Sequence, residues 1–174
     1  GTVSVGASGL GYDNNSNVTL TTAVASSNNV TVQAPALLSS SFVVTPNSVL
    51  QGGLFTGVFT VSNAAGGANA QFVYATPVAG LSNGAALQQV GGVSPATTQT
   101  VLAGGSVSFT YTFSGTAVNP SLSVSSAALG LDANSSVGVS TTATSNSFNV
   151  VDTNPVLTNS FWLTPATPMV LLPR

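Results

Sequence analysis

Lysine, histidine, glutamate and cysteine are all absent from this 174-residue chain. Its only cationic side chain is Arg174, the last residue, and its carboxylate side chains are Asp13, Asp132 and Asp152. Each absence removes a class of chemistry. General acid–base catalysis draws on His, Glu, Lys or Cys titrating near the working pH. A serine nucleophile needs such a base beside it. Structural and catalytic zinc sites need Cys or His ligands. Nucleic-acid binding needs several cations to neutralise phosphates. The chain is therefore read as a non-enzyme that binds no nucleic acid. A formal charge of −2 also gives little long-range steering of a partner.

Long apolar runs are missing too. The longest candidate, Met169-Val170-Leu171-Leu172, stops at Pro173 and falls far short of the roughly 20 residues that span a bilayer, so no membrane insertion is expected. The start, Gly1-Thr2-Val3, carries no basic region of a signal peptide, so any secretion signal is expected upstream or already removed. Without internal Lys or Arg the chain offers trypsin-like proteases no target before Arg174, a useful property outside a cell. Lack of cysteine excludes disulfides and says nothing of compartment.

What is present is core material in a two-residue rhythm. Hydrophobic residues make up 43%, which separates the chain from charged, disordered sequences. Val107, Phe109, Tyr111 and Phe113 alternate with Ser and Thr, and Phe55, Gly57, Phe59 and Val61 do the same, which is the pattern of half-buried strands. Shorter strands are read at Gln71–Ala75 and Ser121–Val124. Turns are expected at Gln51-Gly52-Gly53, Gly66-Gly67, Asn83-Gly84, Gly91-Gly92 and Gly104-Gly105. No stretch holds a helical period. Many short strands with glycine turns predict an all-β fold, an antiparallel β-sandwich of the Ig-like kind.

An internal repeat organises the chain. Residues 1–46 align without a gap on residues 120–165, at an offset of 119. Val5 falls on Val124, Leu10-Gly11 on Leu129-Gly130, Asp13 on Asp132, Asn15 on Asn134, Val18 on Val137, Ser41-Phe42 on Ser160-Phe161 and Thr45-Pro46 on Thr164-Pro165. About 119 residues is one sandwich module, and the chain is out of phase with it. Residues 1–35 read as the closing strands of a preceding module, 36–154 as a complete module, and 155–174 as the opening strand of a following one. Closing strands alone cannot bury their inner face, so 1–35 require strands from elsewhere.

The segment Pro46-Asn47-Ser48-Val49-Leu50-Gln51-Gly52-Gly53 leads into a strand ending Thr60-Val61-Ser62-Asn63. Leu102-Ala103-Gly104-Gly105-Ser106 and Gly130-Leu131-Asp132-Ala133-Asn134-Ser135 follow later. Over residues 36–154 this resembles the CARDB-type (cell-adhesion-related) and related Ig-like repeats of bacterial surface proteins. The resemblance implies secreted or surface-anchored strings of modules, an extracellular or cell-surface location, and no catalytic residues.

The candidate sites are few. Asp13 and Asp132 stand in matching Gly-x-Asp-x-Asn turns. They are candidates for calcium, which takes carboxylate and amide oxygens, or for Asx turns that bond their own backbone. Beyond that calcium candidate no cofactor is expected. Asp152 is read as a linker turn at the module boundary. Asn14, Asn17, Asn29 and Asn134 begin N-x-S/T sequons and are candidates for glycosylation. Phe161 and Trp162 are candidates for assembly, either as an exposed aromatic pair or with one ring in a core as expected of Phe42. The functional expectation is a repeat segment of an extracellular stalk, adhesin or filament, partnered head to tail by neighbouring modules or copies. One alternative is a filament subunit whose residues 155–174 exchange strands with 1–35 of a neighbour; another is a glycan-binding surface module.

Overall fold

The computed structural model describes residues 1–76, 78 and 86–153. Regular structure among them is β-strand throughout, with no helix that could cross a membrane. The first part is a long two-stranded ribbon. Strands β1 (Thr2–Val3), β2 (Gly6–Ala7) and β3 (Leu10–Asp13) run out, and β4 (Val18–Thr21), β5 (Ala25–Ser26) and β6 (Val30–Thr31) return antiparallel to them. Hydroxyls bridge the breaks in the ladder: Val5 N–H donates to Ser27 Oγ and Gly9 N–H to Thr22 Oγ1.

The remainder is an antiparallel β-sandwich. Its strands are β7 (Leu38–Thr45), β8 (Ser48–Leu50), β9 (Leu54–Asn63), β10 (Ala70–Ala75), β11 (Leu87–Gln89), β12 (Gln99–Val101), β13 (Ser106–Gly115), β14 (Asn119–Leu122), β15 (Ser125–Asp132), β16 (Gly138–Thr144) and β17 (Phe148–Val151). One sheet has the order β11-β13-β9-β7 and the other β12-β10-β15-β16. Strand β17 bridges β14 and β8, and runs parallel to β8. The first order is that of the A-B-E-D sheet of the Ig plan, and β10-β15-β16 that of its C-F-G sheet, with β12 added at the edge.

The alternating positions make the core. Phe55, Phe59 and Val61 of β9 lie buried beside Phe109, Tyr111 and Phe113 of β13, with Phe59 opposite Phe109 and Phe55 opposite Phe113. Phe42 of β7 sits 5.6 Å from Phe59 and 5.4 Å from Tyr111, ring centre to ring centre, and Phe148 of β17 sits 5.2 Å from Phe55. Each buried ring contributes about 2 kcal/mol through lost water contact. Gly57 interrupts this aromatic row for a steric reason. A Cβ there would stand 2.8 Å from Cε2 of Phe42 and 3.0 Å from Cε2 of Phe113. The glycine pairs behave as turn formers: Gly52, Gly66, Gly91 and Gly104 each have φ between 75° and 82°. The expected turn at Asn83-Gly84 lies outside the described residues.

Two buried polar groups close the sandwich. Asn63, at the end of β9, accepts from Leu37 N–H through Oδ1 (3.0 Å) and donates through Nδ2 to Ala68 O (2.9 Å) and Val101 O (3.2 Å). It thus ties the start of the opening strand to the loop before β10 and to the end of β12. The Tyr111 hydroxyl meets Thr76 O at 2.7 Å and Ser126 Oγ at 2.5 Å, crossing between the sheets. Burial pushes the Tyr111 phenol up from its ordinary pKa.

Strand β10 departs from simple alternation. Its register shifts between Gln71 and Tyr74. At this bulge Phe72 takes φ 54°, so Val73 turns inward while Phe72 and Tyr74 both face solvent.

Replacing Asn63 by Ala strips one N–H and two carbonyls of their buried partner. The expected loss is about 3 kcal/mol of unfolding free energy, read as a lower urea midpoint at unchanged slope. A loss under about 0.5 kcal/mol would show that water substitutes for the amide.

Candidate functional site

The ribbon at the start of the chain and the β14–β17 hairpin of the sandwich are built alike. At the tips, Leu10, Gly11 and Tyr12 pair with Thr21, Leu20 and Thr19, and Leu129, Gly130 and Leu131 pair with Ser140, Val139 and Gly138. Asn17 and Ser136, at matching turn positions, have φ 54° and 58°. In one turn Asp13 Oδ1 accepts from Asn15 and Ser16 N–H; in the other Asp132 Oδ1 accepts from Asn134 and Ser135 N–H. Lower down, Ser27 N–H donates to Val5 O and Val5 N–H to Ser27 Oγ, as Ser145 and Val124 do for each other.

That last correspondence corrects the gapless alignment. Ser27-Asn28 matches Ser145-Asn146, one residue off the register that the tips share. The physical reason is an extra residue in the return strand: Ala7 pairs with Ala25 where Ser126 pairs with Ala143, leaving two residues between Thr22 and Ala25 against one between Thr141 and Ala143. Val30 and Val32, not Asn29 and Thr31, thereby take the places of Phe148 and Val150.

The hairpins differ in what covers them. Leu122 and Val124 are 4% and 1% exposed, whereas their counterparts Val3 and Val5 are 52% and 67% exposed. Val30 and Val32 are likewise open where Phe148 and Val150 are buried. In the sandwich, β7 covers the return strand. Ser40 Oγ lies 2.9 Å from Thr141 Oγ1, Phe42 bridges to Ser145 as a parallel neighbour, and the Asn146 amide clamps Val44 by accepting from its N–H (2.8 Å) and donating to its carbonyl (3.2 Å). The free hairpin retains the same three residue types, Thr22, Ser27 and Asn28.

The aspartates show the same contrast. Asp132 is buried, and its Oδ2 accepts from Ala36 N–H at 2.6 Å, fastening the first residue of the sandwich to its closing hairpin. That N–H, then those of Ser135 and Asn134, hold the carboxyl down at about 2 against an ordinary 3.8. Asp13 has no such crossing partner: Oδ2 takes only the Ser16 hydroxyl, which with the Asn15 and Ser16 N–H groups lowers its pKa from the ordinary value. Both carboxylates thus face converging donors, the arrangement of an Asx turn, whereas a calcium ion would need further oxygens in those places. No cluster of three metal-ligating side chains occurs among the described residues.

The junction between ribbon and sandwich is fixed by Asn134 Nδ2 donating to Gln33 Oε1 at 2.9 Å and Ala68 N–H donating to Ala34 O at 2.8 Å. The sequon residues Asn14, Asn17, Asn29 and Asn134 are exposed, though Asn17 also accepts from the Tyr12 hydroxyl. Asp152 lies exposed just past β17. Phe161, Trp162 and Arg174 lie outside the described residues. A shallow polar hollow of about 350 Å³ is lined by Asn47, Ser48, Pro120, Ser147, Phe148 and Asn149 and contains no titratable side chain. Sequence reasoning missed the outward aromatics Phe72 and Tyr74, because a bulge is not written in a two-residue rhythm. It also missed Asn28 and Asn146, which the one-residue slip keeps apart in a gapless alignment.

No family model and no curated protein matches the chain. A search of solved structures finds similarity to domains 4 and 5 of the S-layer protein SbsC, at 18% identity and a TM-score of 0.34, covering 84% of this chain and 66% of that one. The CARDB-type resemblance of residues 36–154 therefore rests on its turn and strand motifs.

Folding favours the ionised Asp132, since its pKa is lower folded than unfolded, so this contribution is complete above pH 3.8 and is lost as pH falls towards about 2. The melting midpoint is expected to hold from neutrality to about pH 4 and drop below it; Asp132→Asn lowers the neutral midpoint and flattens the acid limb, and an unchanged limb would assign the acid sensitivity to other groups. Millimolar calcium or a chelator is expected to leave the midpoint where it is. A rise with calcium that disappears in Asp132→Asn would replace the Asx reading with a cation site.

Proposed function

We propose that this chain is a non-catalytic structural unit of an extracellular or cell-surface assembly, a stalk, adhesin or filament, in which residues 1–33 are a closing hairpin completed by strand from outside the sandwich of residues 34–153. The observation that carries the reading is the pair of matched hairpins, one with its valine and leucine face covered and one with that face bare. An isolated two-stranded ribbon is marginal in water; a third strand and a shared apolar face bring it into the stable range. The near-absence of charge supports the same reading, since a surface of Ser, Thr, Asn and Gln contacts copies of itself without repulsion. The CARDB-type motifs point to the same setting of surface modules in series.

The test is removal of the hairpin. Residues 34–174 alone are expected to melt within about 4 °C of the full chain, because only the few junction hydrogen bonds are lost, worth about 1 kcal/mol. End-to-end association at high concentration, followed by light scattering and electron microscopy, is expected to disappear. Association that persists without the hairpin would refute the reading.

A further inference from the structure

We infer that the strand completing the hairpin is residues 157–164 of a second copy of this chain, laid against Thr22, Ser27 and Asn28 as β7 is laid against Thr141, Ser145 and Asn146. This rests on the proposal that the hairpin is completed from outside. Both halves of the β7 contact recur in the chain.

The receiving half is in the hairpin. Thr22, Ser27 and Asn28 hold the places of the three residues that grip β7, and the Asn28 side-chain amide has no partner among the described residues, while Asn146 spends both of its ends on the Val44 backbone. The donating half is in the sequence. Leu38, Phe42 and Val44, the inward side chains of β7, are buried in the sandwich. The repeat puts Leu157, Phe161 and Leu163 in their places, apolar at every position, and Asn159 at the place of Ser40. Trp162 falls on Val43, which faces outward from β7.

Geometry selects a second copy over the same one. The hairpin joins the sandwich where Ala34, Ala36, Ala68 and Asp132 meet. The chain leaves by β17, whose Val151 carbonyl accepts from Gln51 N–H beside Gly52 and Gly115, at the other end of β7. An eight-residue β7 separates these ends by about 26 Å. The segment that follows β17 therefore starts from the end opposite the hairpin of its own chain, so the hairpin within its reach is that of the next copy. Such a head-to-tail contact is heterologous, and it generates an open filament wherever the rotation between copies does not close a ring. The contact is strand addition, with backbone bonds supplied by Ser27 and Asn28 and side-chain packing by Val3, Val5, Leu20, Val30 and Val32. One element of the sandwich is not reproduced: Pro155 stands where Ala36 stands and has no N–H for Asp13. The joint thus uses the asparagine clamp without the carboxylate clasp.

The absence of native cysteine makes the register directly testable. Ser40 Oγ and Thr141 Oγ1 are 2.9 Å apart, a gap that an S–S bond of about 2.05 Å closes with little movement. The full chain carrying Thr22→Cys and Asn159→Cys is expected to form a ladder of intermolecular disulfides under mild oxidation. Thr22→Cys with Ser160→Cys, which turns the donor thiol to the opposite face, is expected to give at least about tenfold less. Asn28→Ala should weaken the ladder and Asp13→Asn should not. As a second readout that needs no cysteine, a synthetic peptide of residues 155–174 added to the wild-type chain is expected to slow amide exchange at residues 20–32. Equal ladders from both pairs, or a fast-migrating monomer with an internal disulfide, would overturn the inference. No ladder and no peptide protection, with association still dependent on residues 1–33, would overturn it while leaving the proposed function standing; association independent of residues 1–33 would remove both.

Discussion

The Asp132 carboxylate joins the two ends of the sandwich. Its Oδ1 shapes the tight turn between β15 and β16, and its Oδ2 fastens Ala36, nearly a hundred residues earlier in the chain. With that one bond the opening strand β7 is brought beside the return strand of the closing hairpin, where Asn146 clamps it and Phe42 reaches Phe59 and Tyr111. Removing the carboxylate frees three N–H groups, of which that of Ala36 is buried, and a buried donor without an acceptor is costly. Asp13 forms the same turn without the crossing bond. The difference between the covered hairpin and the bare one is visible in a single oxygen atom.

A chain with almost no charge must satisfy its buried backbone by other means, and here amides and hydroxyls do it. Asn63 serves three backbone groups at the end of β9, Asn146 serves both polar groups of Val44, and Tyr111 and Ser126 share the Thr76 carbonyl. Among the described residues every buried polar side-chain atom has a partner. Neutral groups carry a smaller desolvation penalty than ions, so such clamps can be placed deep in a small sandwich without a compensating charge. With so few charges, little of the fold depends on interactions that salt screens.

Much of this was legible beforehand. The two-residue rhythm located β9 and β13, and both bury the predicted faces. The glycine pairs marked turns whose first residue indeed needs a left-handed backbone. What remained hidden shares one cause. Periodicity assumes that every residue advances the chain by one pleat, and bulges violate that assumption. One bulge turned Phe72 and Tyr74 outward from a strand of ordinary appearance. Another, between Thr22 and Ala25, displaced Asn28 from Asn146 by one residue and concealed the most informative equivalence in the chain. The motif ending in Asn63 was recognisable as a pattern, but its task of closing the fold required seeing Leu37, Ala68 and Val101 around it.

Edge strands decide whether a β-protein stays separate from its copies. Natural sheets guard their edges with lysine, with proline, or by keeping the edge short. Lysine is not available in this chain. The sandwich uses two devices: the edge strands β11 and β12 have three residues each, and the longer edge strands β7 and β16 lie against one another, with Ser40 Oγ 2.9 Å from Thr141 Oγ1. The ribbon of residues 1–33 has neither guard. Both of its edges are long, and valine and leucine line it. Left uncovered, such a ribbon would pair with whatever strand approached, so a soluble protein could keep it only if a specific strand outcompetes the random ones. Specificity of that kind comes from register, and Thr22, Ser27 and the Asn28 amide supply it, since they accept one strand at one offset. An unguarded edge with a built-in register is a connector, and the chemistry that makes it a hazard in isolation makes it directional in an assembly.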